Sequence, residues 1–208
     1  MKRIIITASM LLTGTSLCVE AYGETKISEE LELLKKAALL ERQAVREKNQ
    51  YAIIDAIETY GKLSIDPLIA ETVEETVSGA LGEPVWQFNE KYCEYLLDTD
   101  FEVVKLKDLS AMRGFPTIMG RSYSLAPGSS ASIMLEGMGE CEMLVVTEDN
   151  STLNVSISSD SGTFPVETEE GGTVSWSVFS LPQDKIVPVK IKFENPTHKN
   201  VSFVIGIK

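Results

Sequence analysis

The sequence predicts an α+β protein: a helical N-terminal segment packed on a C-terminal antiparallel β-sandwich of jelly-roll type. Three observations predict it. Apolar residues between Ser28 and Gly61 recur at helical spacing. After about Asp100 the apolar period becomes two, broken by Ser, Thr and Gly. The first residues have the layout of an export signal. The expected division is therefore a leader over 1–23, a helical segment over 24–99 and a sandwich over 100–208.

The leader comes first. Lys2 and Arg3 form a basic start, Ile4 to Leu17 is apolar, and Ala21 and Gly23 are small residues at the −3 and −1 positions of a cut before Glu24. The rival reading is a membrane anchor, but this run is too short for the roughly 30 Å of hydrocarbon in a bilayer. Cys18 raises a lipoprotein alternative, yet Leu17 stands where a small residue is wanted. The mature chain is expected to begin at Glu24, secreted or periplasmic, with no transmembrane segment.

In the helical segment, Ser28 can cap and Glu29, Glu30 and Glu32 put negative charge in the first turn. Leu33, Ala37, Leu40 and Ala44 keep one face, as do Leu31, Leu34 and Ala38. The polar stretch 47–50 interrupts the pattern, and Tyr51, Ile54, Ile57 and Tyr60 resume it. This predicts an αα-hairpin turning near Asn49, with one long helix as the alternative. Residues 67–76 are expected to form a short helix, and 86–97 another. Trp86, Phe88, Tyr92 and Tyr95 read as a seam between layers or as a binding box.

In the sandwich, Val187, Val189, Ile191 and Phe193 alternate with Pro188, Lys190, Lys192 and Glu194. Val201, Phe203, Ile205 and Ile207 repeat the pattern. The polar turn 195–200 between them predicts a hairpin. Leu153, Val155 and Ile157, then Val174, Trp176 and Val178, give two more strands. Ile133 with Leu135, Met143 with Val145, and the stretch around Tyr123 give others. Seven or eight short strands in about 110 residues match a sandwich. Val189, Ile191, Phe193, Phe203 and Ile205 are the expected core.

Two resemblances follow from particular residues. The helix carrying Ala56 and Tyr60, followed by Pro67, resembles one helix of a tetratricopeptide repeat. Residues Ser129 to Lys208 are similar in pattern to the bacterial pre-peptidase C-terminal domain, a jelly-roll module. The likeness lies in Gly139, Glu140, Cys141 and Glu142 leading into a strand, in the strand from Leu153 to Ile157, and in the close through Asn195 and Val201 to Ile205. That family has Asp and an aromatic after the glycine, where this chain has Glu140, Glu142 and Met143. The resemblance implies an extracellular accessory module working beside another protein.

Composition and motifs narrow the function. A net charge of −12 argues against nucleic acid, which is gripped by clustered Lys and Arg. His198 is the one histidine, which removes two-histidine zinc sites and leaves a single base for a Ser or Cys nucleophile. It lies in the polar turn before Lys199. No GxSxG, P-loop or GxGxxG occurs. Carboxylate pairs about 5 to 9 Å apart could cleave a glycosidic bond, but the sequence selects no pair. Glu140 and Glu142 flank Cys141 at period-two spacing and are the candidate metal pair. Calcium is the one cation that these and the acidic loop ends suggest; no other cofactor is expected. Cys93 and Cys141 either pair in an oxidising compartment or stay as two free thiols. Trp86 and Tyr123 are the candidate binding aromatics.

The expected function is thus a secreted, non-catalytic binding or interaction module with a protein or carbohydrate partner at the cell envelope. The alternatives are a carboxylate-based hydrolase acting on envelope or dietary glycan, and a structural envelope subunit.

Overall fold

A computed structural model describes residues 26–60, 62–63, 65–68, 71–75, 118–169 and 171–208. The expected leader and the expected helix over 86–97 lie outside the described residues.

Helix α1 spans Glu29–Glu47 and α2 spans Gln50–Tyr60. The hairpin turns where the sequence predicts. Lys48 adopts a left-handed φ of 51°, and the Asn49 N–H donates back to the Ala44 carbonyl at 3.0 Å. That bond closes the end of α1 in the Schellman manner. Asn49 Oδ1 then accepts the N–H groups of Tyr51 at 3.1 Å and Ala52 at 3.5 Å, so the same residue caps the start of α2. Two helices result because Asn49 serves both ends; the single long helix is not formed.

The strands are β1 (Ile65–Pro67), β2 (Glu71–Glu75), β3 (Ile118–Leu125), β4 (Ser130–Gly137), β5 (Glu140–Thr147), β6 (Asn154–Ser159), β7 (Gly162–Phe164), β8 (Glu167–Thr168), β9 (Val174–Ser180), β10 (Val187–Glu194) and β11 (Val201–Ile207). They form two sheets, ordered β1-β3-β11-β5-β9-β8 and β2-β4-β10-β6-β7. All pairings are antiparallel except β1 with β3. From β3 to β6 the chain changes sheet at every step, and again from β9 to β11.

This order corrects two expectations. β10 and β11 do not form a hairpin: β10 pairs with β4 and β6, and β11 with β3 and β5. Both strands carry a full apolar face, and each finds a central place in its own sheet. The connection is fixed by Asn195, which is 1 % exposed. Its Nδ2 donates to the carbonyls of Leu125 (3.0 Å), Ala126 (2.9 Å) and Lys199 (2.8 Å). Its Oδ1 accepts from the Thr197 N–H at 2.9 Å and hydroxyl at 2.7 Å. The second correction concerns 67–76, which holds the end of β1 and all of β2 rather than a helix. Pro67, part of the repeat-like pattern with Ala56 and Tyr60, therefore ends an edge strand, a place where a missing N–H is tolerated.

Two apolar clusters hold the layers. Between the sheets lie Val189, Ile191, Phe193, Phe203 and Ile205, all buried as expected, with Tyr123, Leu125, Ile133 and Met143. On the other face of the β11 sheet, Leu31, Leu34 and Ala38 of α1 meet Leu144, Val146, Val174 and Val204. The helix comes this close because β11 carries Gly206 on that face. A Cβ there would collide with Leu34 Cδ2 and press on Leu31 Cδ2. Polar contacts finish the junction. Lys208 pairs with Glu30 at 2.9 Å, Lys35 pairs with Glu169, and the Lys35 ammonium lies 5.4 Å from the Trp176 ring centre.

Candidate functional site

Among the described residues, the sheets leave one end of the sandwich open. There β3, β5 and β10 begin and β4, β9 and β11 finish. The register sets Ile207 beside both Met119 and Met143, and Val187 opposite Gly137. A cavity of about 640 Å³ opens at this end, walled by Leu68, Leu135, Met143, Phe179, Val189 and Ile207, among others. Glu136, Glu140 and Lys208 supply its charged side chains. Its size and apolar walls with few polar groups are those of a small-molecule site.

The rim is apolar too. Met119 is 44 % exposed, Met138 59 % and Ile186 63 %. Because Val187 pairs with Gly137, Ile186 and Met138 lie side by side where those strands run out. Gly139 makes the β4–β5 turn possible with a left-handed φ of 72°, which L side chains rarely adopt. Leu181 N–H donates to the Gly139 carbonyl at 2.7 Å, and Gly139 N–H donates to the Pro182 carbonyl at 3.2 Å. The rim turn is thereby tied to the end of β9.

The residues singled out from sequence fall in different places. Tyr123 is 5 % exposed, with its ring 5.9 Å from Phe203 and the Arg121 guanidinium 5.6 Å from its centre. It is a core residue, which corrects the expectation of an exposed platform. Its position in β3 puts it on the same face as Leu125, toward the facing sheet. Trp86 and Cys93 lie outside the described residues. Cys141 is half-buried in the cavity wall, with Sγ 3.9 Å from the Met138 carbonyl. Burial pushes its thiol above the usual range. His198 is exposed in the turn before β11.

Glu140 is exposed and lines the cavity, whereas Glu142 is engaged elsewhere. A Glu142 carboxylate oxygen accepts the Ser28 N–H at 2.7 Å. That is the contact a capping-box Glu makes within one helix, supplied here from a strand. Glu142 thus steadies the start of α1, while Glu140 faces the cavity. Among the described residues, no three His, Cys, Asp or Glu side chains come together as a metal set.

The most strongly perturbed carboxyl among the described residues is not in the cavity. Glu41 of α1 has its pKa raised to about 7, first by burial and then by the Glu148 carboxylate, against the lowering effect of the Tyr60 hydroxyl. That hydroxyl donates to Glu41 Oε2 at 3.1 Å. Beside it, Arg42 Nη1 donates to the Thr147 carbonyl at 3.1 Å.

The sequence reading missed the cavity. A signal for it was present, because Met119, Met134, Met138, Cys141 and Met143 fall within 25 consecutive residues. No family profile and no curated protein matches the chain. Among solved structures, it is similar to a sugar phosphate isomerase of the cupin superfamily from Silicibacter pomeroyi. That match has 15 % identity and a TM-score of 0.24, over 50 % of this chain and 55 % of the other. It is also similar to the cupin domain of an XRE family transcriptional regulator from Enterobacter cloacae. There the identity is 15 % and the TM-score 0.22, over 62 % of this chain and 95 % of the other. The chain thus spans about half the length of the isomerase it matches. At these TM-scores neither likeness carries an argument about function.

Proposed function

We propose that this protein is an exported, non-catalytic binding module whose ligand site is the open end of the sandwich. The observation that carries the reading is the 640 Å³ cavity with its apolar rim. Exposed Met119, Met138 and Ile186 around an unfilled apolar interior are costly in water unless something covers them. Methionine suits such a wall, because its flexible thioether adapts to a partner's shape. Alternation of consecutive strands between two sheets supports classing the sandwich as a jelly roll. The likeness to the pre-peptidase C-terminal domain agrees with an accessory role beside another protein. The carboxyls raised by burial, Glu41 and Glu148, lie at the helix junction and not in the cavity lining, which supports reading the cavity as a binding site rather than a hydrolytic one.

The test is a fluorescence titration with anilinonaphthalene sulfonate, an apolar probe. The exported protein is expected to bind it saturably in its folded state. Met138→Glu places a charge on the exposed rim and is expected to weaken binding about tenfold without changing the melting temperature. Absence of saturable binding, or equal binding by the variant, contradicts the reading.

A further inference from the structure

Every sulfur-bearing side chain among the described residues lines the one cavity: Met119, Met134, Met138, Cys141 and Met143. Chance packing scatters methionines through a core. Here three strands and a turn deliver all five to one end of the sandwich. Core filling accounts for Met143 but not for Met119 and Met138, which are exposed.

The register and the β4–β5 turn place four of them on the wall at this end. Met119 and Met143 flank Ile207 on neighbouring strands, about 10 Å apart at Cα from two strand spacings. Two methionine side chains can bridge that distance. Cys141 and Met143 are two residues apart on β5 and so share the inward face. Met138 stands in the turn, its carbonyl 3.9 Å from Cys141 Sγ. Met134 occupies the opposite alternation from Ile133 and Leu135 on β4 and is left out of the set.

We infer that the cavity wall carries a site for a soft monovalent cation, Cu(I), held by Cys141 with Met119, Met138 and Met143. The inference rests on reading the open end as the binding site. Thiolate and thioether sulfur select Cu(I) among biological metals, while calcium and magnesium require oxygen. Zinc sites are built from Cys, His and carboxylates rather than thioethers. Binding converts the Cys141 thiol to a thiolate, and the proton leaves to solvent. Glu140 and Glu136 outnumber Lys208 in the lining, a balance of charge that favours a cation.

The test is competition for Cu(I) against bicinchoninate under reducing, oxygen-free conditions. The exported protein is expected to withdraw about one equivalent. Cys141→Ser and the double variant Met119→Leu/Met138→Leu are each expected to weaken uptake about tenfold or more, whereas Met134→Leu leaves it unchanged. Leucine nearly conserves methionine's volume, so the fold is kept. Methyl-¹³C methionine spectra with Ag(I), a redox-silent substitute, give a second readout on the unsubstituted chain. Met119, Met138 and Met143 are expected to shift and Met134 to stay. No uptake, uptake insensitive to these variants, or an unmoved methyl spectrum overturns the cation site. If the apolar probe still binds and still responds to Met138→Glu, the binding-module reading stands without it. If the probe fails as well, both fall.

Discussion

Asn195 shows how much one buried polar side chain can decide. It donates to three carbonyls from two separate turns and accepts two bonds from Thr197. Buried polar groups stay in place only when satisfied, and removing one partner strands the others. Asn195→Ala is therefore expected to lower unfolding free energy by about 2–4 kcal/mol in a urea titration. Asn195→Asp keeps the shape but turns an acceptor toward the same carbonyls, so it is expected to destabilise more than alanine. An aspartate variant as stable as wild type would contradict this role. Nothing in the sequence marks Asn195 beyond its place in a polar turn, because the two carbonyls that tie it to the β3 end, Leu125 and Ala126, lie some 70 residues away. Glu142 was hidden for the same reason. Period-two spacing places it beside Glu140, but the donor it serves, Ser28, is 114 residues distant.

At the scale of elements, the junction of α1 with the sandwich carries a pH dependence. Folded Glu41 has its pKa near 7 against an ordinary 4.5. A carboxyl raised in the folded state makes no difference below about pH 4.5, where both states hold the proton. As pH rises through 4.5 to 7 the unfolded chain ionises first, so stability falls, and above 7 the loss is complete. The loss is on the order of 2–3 kcal/mol, discounted for partial solvation of the group. Glu41→Gln is expected to remove most of this slope, leaving the part due to Glu148, whose carboxyl burial also raises, and to raise stability at pH 8. An identical slope in the variant would place the titrating group elsewhere. The elements themselves were unevenly legible. Both helices and their turn follow from apolar spacing and Asn49. β1 and β2 did not, because Pro67 and the acidic run Glu71–Glu75 lack the alternation that identifies a strand. Charge and proline are what edge strands use to discourage further pairing.

For the whole molecule, alternation told which residues are buried but not which strands are neighbours. Val189, Ile191 and Phe193 face the core whether β10 pairs with β11 or with β4 and β6, so the apolar pattern alone permits a hairpin. The strand order comes instead from long-range pairing and from the Asn195 connection. The same limit hid the candidate site. Its sulfur residues are close in sequence, yet only the sheet register shows that Met119 and Met143 flank one residue of β11. The candidate aromatics erred the other way, since Tyr123 obeys the alternation that buries its neighbours.

The central claim is that the open end of the sandwich binds ligand, and Cys141 in the cavity wall reports on it directly. The measurement is the rate of Cys141 alkylation by a maleimide in a Cys93→Ser protein, with and without saturating anilinonaphthalene sulfonate. Occupancy of the cavity is expected to slow the reaction about tenfold or more, because access to the sulfur controls its rate. An unchanged rate while the probe is fully bound would put the ligand elsewhere and contradict the account.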